Sequence, residues 1–228
     1  MLTLGIDDAG RGPLIGPMIL AGVLLDEKQE KLLKENEVKD SKMVVHSTRI
    51  KLAEMIRKNS HAHKITKTFP EELDHSLTHG TNLNTLEAKK CAEIINSINT
   101  GKFMKQQIKV IIDCPSVNTV AWKNTLLKFL VHNSNLAIHC EHKADVNHVS
   151  ASAASILAKV TREEEVAKIK AQFKEYGNIG SGYPSDPLTK EFLKKNGKKL
   201  ANSGIFRKTW STWKAFFPSV DEKQKKLF

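Results

Sequence analysis

Cysteine is scarce in these 228 residues: Cys91, Cys114 and Cys140 are an odd number at spacings that suit neither a disulfide framework nor a cysteine zinc site, and they read as free, mostly buried thiols. No apolar run approaches the ~20 residues that a membrane span needs, and the first residues lack the basic-then-apolar pattern of a secretory signal. The expectation is a soluble, cytoplasmic protein with no membrane partner. Internal repeats and low-complexity segments are absent as well. Acid is the scarcer charge, with 25 Asp and Glu against 36 Lys and Arg, which leaves a formal net charge of +11 and a pI near 9.5. Such a surplus suits a polyanion, and nucleic acid leads the candidates. At this length the chain forms one large domain, or one with a small appendage, and buries a real core either way.

Against that basic background two adjacent acids stand out. In Leu4-Gly5-Ile6-Asp7-Asp8-Ala9-Gly10-Arg11-Gly12-Pro13-Leu14-Ile15-Gly16-Pro17 an apolar run ends on acids and breaks into glycine and proline before a second apolar run, Met18 to Leu25. Leu2, Leu4 and Ile6 alternate as a half-buried strand does, which places Asp7 and Asp8 at its end and pointing in opposite directions. Adjacent carboxylates repel unless cations hold them. Gly10, Gly12 and Gly16 permit positive φ and expose backbone N–H groups, while the Arg11 guanidinium is a planar fork suited to phosphate. Acid, glycine and arginine together suggest a phosphate ester beside a metal. An ordinary acidic turn is the plainer reading. A dinucleotide loop fits poorly, because the last glycine gap is one residue too long and the segment after it is short and β-like; no Walker lysine follows either.

Further along, Glu27 to Glu37 reads as a short surface helix, followed by the polar loop Val38-Lys39-Asp40-Ser41-Lys42. Ser47 is a candidate cap for a helix with Ile50, Ala53 and Ile56 at helical spacing. His61 to Phe69 is a third strand, and the short connection between the first two implies an antiparallel start to the sheet. Asn82 or Asn84 opens a helix marked by Leu83, Leu86, Cys91 and Ile94. The β-branched run Ile108 to Ile112 is a fourth strand ending at Asp113. That residue is either a turn former or, since ligands gather at strand ends in open sheets, a neighbour of the first strand's end. Asn118 caps the next helix, Asn135 to His139 is a fifth strand, and a long helical pattern through Val149 and Val160 carries small residues where backbones can approach closely. Asp145 near its start is favourable through the helix dipole alone. Asp186 and Pro187 open another helix that closes near Gly197. In the tail, Arg207, Lys208, Trp210, Trp213 and Lys214 interleave cations with aromatics, as a helix would that packs its tryptophans and shows its cations to a duplex; residues from Asp221 read as frayed. His139 with Glu141 and His142, and His75 with His79, fall short of a full zinc ligand set and are better read as surface or packing histidines.

Three of these segments resemble, in the same order, the type 2 ribonucleases H (ribonuclease HII), most nearly their archaeal single-chain members. Asp7-Asp8-Ala9-Gly10-Arg11-Gly12 is similar to the family signature Asp-Glu-Ala-Gly-Arg-Gly; Asp113 follows its strand as the family's third acid does; and Lys143-Ala144-Asp145 with the run ending Lys159-Val160-Thr161-Arg162 carries the fourth. Asp8 departs from the pattern, and its missing methylene shortens the reach to a metal by roughly 1.5 Å. The resemblance implies an α/β ribonuclease H-like fold: a mixed five-stranded sheet flanked by helices, its first three strands antiparallel, with a catalytic domain over 1–176 and a small helical extension over 177–228 that contributes to substrate binding. It implies Asp7, Asp8, Asp113 and Asp145 as catalytic and metal-holding acids for Mg²⁺ or Mn²⁺, two ions about 4 Å apart. Gly10, Arg11, Gly12, Lys42, Asn84, Lys143 and Tyr183 (in Gly182-Tyr183-Pro184) are the implied substrate contacts. A solvated lysine is the other reading of Lys42, and simple packing that of Tyr183. The partners implied are RNA/DNA hybrids and ribonucleotide-containing duplex DNA, bound by a monomer, with a sliding clamp at the C-terminus left open. A nucleic-acid-binding module that has lost catalysis, motivated by Asp8, and a related DNA-junction nuclease are the competing functions.

Overall fold

The computed structural model describes residues 1–38 and 45–218. In chain order the elements are β1 (Leu2–Ala9), β2 (Met18–Leu25), α1 (Glu27–Glu35), α2 (His46–Asn59), β3 (Ala62–Thr68), α3 (Pro70–Thr78), α4 (Leu83–Ile98), β4 (Ile108–Asp113), α5 (Thr119–Leu127), β5 (Leu136–Glu141), α6 (Ala144–Asn147), α7 (Val149–Gln172), α8 (Pro187–Asn196) and α9 (Ser211–Phe216). The described chain separates into two units. The first comprises Met1–Ala9, Ile19–Lys67 and Asn82–Thr161; the second comprises Gly10–Met18, Thr68–Thr81 and the chain from Arg162 onward.

One five-stranded sheet has the order β3-β2-β1-β4-β5. β1 and β2 pair antiparallel from Thr3↔Leu25 to Ala9↔Ile19, whereas β1–β4 and β4–β5 are parallel. Strand alternation sorts the side chains of the central strands onto two faces. Ala21, Val23 and Leu25 pack with Leu33 of α1, Ala53 of α2 and Ile156 of α7 in one cluster. Gly22, on the opposite face, lies against Ile94 of α4. A buried pair of amides, Asn99 and Asn135, exchanges hydrogen bonds at 3.1 and 2.9 Å and ties the end of α4 to the start of β5.

The second unit has its own core, in which Leu14, Ile15, Phe192, Leu193, Phe206 and Trp213 meet. An isolated bridge pairs Ile15 with Phe206. Asp74 of α3 fastens the tail by accepting from the N–H groups of Lys208 and Thr209 at 2.7 and 3.0 Å and from the Thr209 hydroxyl at 2.6 Å.

Several local expectations need correction. β1 runs to Ala9, so both acids lie inside the strand, because β2 continues to pair with it as far as Ile19. α2 starts at His46 with Val45 as its N-cap and no side-chain cap, so Ser47 sits within the helix and does not cap it. Asp145 belongs to the separate short helix α6, which an extended His148 divides from α7. The tail is helical only over α9, and Arg207 precedes it. Asn82, Asn118 and Asp186 cap α4, α5 and α8 through their side chains, as their positions suggested.

α1 opens on a reciprocal capping box. The Asp26 carboxylate accepts the Gln29 N–H at 2.9 Å while the Gln29 side chain accepts the Asp26 N–H at 3.0 Å. The Gln29 N–H bond chiefly, with His61 beside it, holds the Asp26 carboxyl below its usual 3.8. Asp26→Ala is expected to cost about 1 kcal/mol, a fall in Tm of about 2–4 °C. A carboxyl held low contributes stability above its unfolded pKa and loses it as pH drops through the lowered folded value, so thermal scans should show the gap between variant and wild type closing in acid.

Candidate active site

Asp7 and Asp8 leave β1 on opposite faces of the sheet. Asp7 shares its face with Gly5, against which the start of α7 lies, and Ser155 of α7 hydrogen-bonds its carboxylate. Asp7 Oδ1 also accepts the Asp8 N–H at 2.7 Å. Asp8 shares a small cavity with Glu87 and Cys91 of α4. Beyond the last parallel pair, Ile6↔Ile112, the next residues along the two strands are Asp7 and Asp113, so the third acid comes level with the first. Asp7, Asp8 and Asp113 all line that cavity, whose wall includes Trp122.

Asp145 is not among the lining residues. It is buried in α6, next to Ala144, whose N–H donates to Asp113 Oδ1 at 3.1 Å. Lys143 makes that bond geometrically available. It adopts a left-handed φ of 59°, uncommon for a residue with a side chain, and so folds the chain from β5 directly into α6.

The electrostatics of the cavity are severe. Burial first, then the charge of Asp8 and more weakly that of Asp113, push the Asp7 carboxyl from 3.8 up to about 8, against the opposing Ser155 and Asp8 N–H hydrogen bonds. Burial and the charges of Glu87 and Asp8 likewise drive the Cys91 thiol well above its usual value. Among the described residues, no three His, Cys, Asp or Glu side chains already converge as a metal shell. The donor chemistry nevertheless fits a divalent cation. Asp7, Asp8 and Asp113 present only carboxylate oxygens, the choice of Mg²⁺ and Mn²⁺, and a cation's charge would offset the repulsion that holds Asp7 protonated. Neither zinc alternative gains support: the His75 and His79 rings stack on each other at 4.1 Å, and His142 Nδ1 is engaged by the Cys114 carbonyl at 3.2 Å. The three cysteines are free thiols.

The glycine-rich segment belongs to the second unit. Of the three glycines that permit positive φ, Gly10 and Gly16 use it, at 83° and 86°, and Gly12 does not. Gly12 is a neighbour of Tyr183: a Cβ there would lie 4.0 Å from Tyr183 Cε1, an ordinary van der Waals contact. The half-exposed Tyr183 ring is stacked by Arg162, whose Cζ lies 5.1 Å from the ring centre. Gly182, beside it, accepts the N–H groups of Leu14 and Ile15 at 2.8 and 3.2 Å. The structure therefore joins two segments that the chain separates by some 170 residues, Gly10–Gly12 and Tyr183.

The remaining candidates are scattered. Asn84 lies half-buried in the first turn of α4 and lines a groove with Asn82, Ser116 and Thr125. Lys143 is exposed and Arg11 half-buried. Lys42, and the C-terminal segment considered for a clamp, fall outside the described residues. Two contributors escaped the sequence reading. Ser155, part of the small-residue run in α7, bonds Asp7. Arg207, read as a cation offered to a duplex, is fully buried, because the carbonyls of the glycine segment surround its guanidinium.

Known proteins resemble the chain over nearly its whole length. The ribonuclease HII family profile matches residues 4–213. Ribonuclease HII of Pyrococcus furiosus is 41% identical over 224 residues, which cover 98% of this chain and 94% of that protein. The crystal structure of ribonuclease H2 from Pyrococcus horikoshii OT3 matches with a TM-score of 0.82 at 34% identity, covering 99% of both chains. A chain of the PCNA:RNase HII complex from Archaeoglobus fulgidus matches with a TM-score of 0.78 at 34% identity, over 92% of this chain and 96% of that one. Both the strand order and the flanking helices are thus those of ribonuclease H2 structures. A family match from the first strand to α9, together with relatives of this identity over nearly their whole length, makes the chain a member of the ribonuclease HII family and an endonuclease of the ribonuclease H class.

Proposed function

We propose that the chain is a metal-dependent endonuclease that hydrolyses the RNA strand of RNA/DNA hybrids and nicks 5′ of ribonucleotides embedded in duplex DNA, giving 3′-hydroxyl and 5′-phosphate ends. The observation that carries this reading is the state of Asp7, a carboxylate buried beside Asp8 and level with Asp113, which burial and its neighbours' charges push up to about 8. A site so unfavourable to its own charge has a use when a cation shares it. Asp7, Asp8, Asp113 and Asp145 would hold the ions, Mg²⁺ or Mn²⁺, which when bound supply an activated water and neutralise charge on the departing oxygen. Ser155 and the Asp8 N–H orient the Asp7 oxygens for that task. Backbone groups of Gly10, Arg11 and Gly12 read the ribose 2′-hydroxyl, the one group that separates RNA from DNA at a given nucleotide. Tyr183, its ring backed by Arg162, stacks against the adjoining sugar or base. Asn84, Lys143 and Lys42 contact the phosphate backbone, and the net charge of +11 draws the duplex in.

In this reading residues 1–176 carry catalysis and 177–228 contribute to substrate binding. The protein acts as a monomer in the cytoplasm, in DNA replication and ribonucleotide excision repair. A sliding clamp is its natural partner, since the Archaeoglobus fulgidus relative was solved with PCNA. A duplex carrying one ribonucleotide tests the reading when incubated with Mg²⁺ and, separately, with EDTA. Metal-dependent cleavage 5′ of the ribonucleotide is the expected result. Binding without cleavage would favour the module suggested by Asp8, and cutting of all-DNA branches would favour a junction nuclease.

A further inference from the structure

We infer that Arg207 is the positioning residue of the Gly10–Gly16 segment, and that through it the tail of the chain sets how well the protein tells a ribonucleotide from a deoxyribonucleotide. The inference rests on the proposed role of that segment in reading the 2′-hydroxyl. The guanidinium has no solvent exposure. Its Nε donates to the Gly16 carbonyl at 3.0 Å, Nη1 to the Arg11 carbonyl at 2.9 Å and Nη2 to the Gly10 carbonyl at 2.7 Å. The Arg207 backbone N–H adds a bond to the Leu14 carbonyl at 2.9 Å, and Gly16 returns one to Ile205 at 3.0 Å. Trp210 completes the set: its ring lies 4.8 Å from the Arg207 Cζ, and its Nε1 donates to the Gly12 carbonyl at 3.2 Å. The carbonyls of three successive residues, Gly10, Arg11 and Gly12, are therefore committed to two side chains three positions apart in the tail.

The chemistry of a buried cation makes this arrangement stiff. A guanidinium removed from water must be resolvated by the protein, and here backbone dipoles do so; if the segment rearranged, the cation would be left without them. A planar fork meets three carbonyls in fixed directions, which a lysine's point charge cannot reproduce. Gly10 is confined from a second side as well, since a Cβ there would lie 2.5 Å from Cδ and Nε of Arg162. The segment is thus held in one conformation before any ligand arrives, and such preorganisation raises selectivity by removing the ordering cost from binding.

Binding measured in EDTA separates this inference from catalysis. Fluorescence anisotropy of the full chain gives Kd for two duplexes identical except for one ribonucleotide, and their ratio is the discrimination. The wild type is expected to favour the ribonucleotide duplex about tenfold, the worth of one well-placed hydrogen bond. In Arg207→Lys the ratio should fall to within about twofold of unity, while Kd for the all-DNA duplex, dominated by phosphate contacts, changes less than about twofold. A purely structural role would lower Tm and the binding-competent fraction but leave the ratio intact. Should Arg207→Lys fail to fold, Trp210→Phe decides: it keeps an aromatic plane under the guanidinium, loses the Gly12 bond with a part of the ring's packing, and should cut the ratio about threefold. An unchanged ratio in a folded variant, or no discrimination by the wild type, overturns the inference. Failure of the wild type to cleave in Mg²⁺ would instead overturn the endonuclease reading and leave the binding result standing.

Discussion

Asp7→Asn is expected to lower cleavage of a one-ribonucleotide duplex by at least about 10³-fold, the scale of deleting a principal electrostatic group from an active site, and at the same time to make the metal-free protein more heat-stable. The second effect follows from the carboxyl's position. Its folded value of about 8 lies far above the 3.8 of the unfolded chain, so between those limits the native state holds a proton that the unfolded state has released. Stability contributed at low pH is then lost progressively as pH rises from about 4 to about 8, and no further loss follows above that. Asparagine carries no such charge. In EDTA the Tm advantage of the variant should therefore be small near pH 4, widen through neutrality, and level off near pH 8 at about 5 °C or more. Saturating Mg²⁺ should reverse the order, because only the wild type gains the full free energy of cation binding. A Tm difference that ignores pH would show that Asp7 is not held protonated by burial and repulsion. Cleavage at the wild-type rate would remove Asp7 from the site altogether.

The parts of this site that could be read in the sequence are those set by local pattern. Alternation of Leu2, Leu4 and Ile6 announced β1 and put Asp7 and Asp8 on opposite faces, as found, because period two is a property of the strand itself. Asp113 was legible as a strand-end acid, but its place beside Asp7 depends on β4 pairing parallel with β1, a long-range register that no local signal encodes. Arg207 shows where local reading fails. A cation among tryptophans looks like a solvated or nucleic-acid-facing group, and what buries it are carbonyls some 191–197 residues earlier in the chain. Ser155 was visible only as one small residue in a run; its hydroxyl acquires a role because α7 approaches β1 closely enough to reach Asp7. Helix α3 passed unread although a signal was present, a proline at its first turn followed by Glu71 and Glu72, both favourable at a helix N-terminus.

That close approach of α7 to β1 rests on Gly5, and Gly5→Ala is expected to be among the most damaging single substitutions in the first unit. A Cβ at this position would stand 2.1 Å from the Ser150 carbonyl carbon, 2.2 Å from the Ala151 nitrogen and 2.3 Å from the Ser150 oxygen. All three are backbone atoms of α7's first turn, so no rotamer change relieves the contact; either the helix or the strand must move. The strand is pinned on both sides, with Gly5 paired to Val23 and to Ile111, which leaves displacement of the helix. The expected cost is about 3 kcal/mol or more, the upper end of overpacking, seen as a Tm lower by about 6–12 °C. Gly22→Ala provides the contrast: its Cβ would come 2.4 Å from Cγ2 of Ile94, a side-chain rather than a backbone atom but the branch methyl of a buried helical residue, so a smaller loss of about 2 kcal/mol is expected. Helix displacement also has a chemical consequence, since Ser155 lies one helical turn and a residue beyond Ser150 and moves with it, away from Asp7. At a temperature where Gly5→Ala is still folded, its Mg²⁺-dependent cleavage should fall by about tenfold while that of Gly22→Ala stays near wild type, matching the scale of losing a group that orients a metal ligand. Equal denaturation midpoints for the two variants would mean that α7 is not seated on Gly5, and the orientation of Asp7 would then need another source.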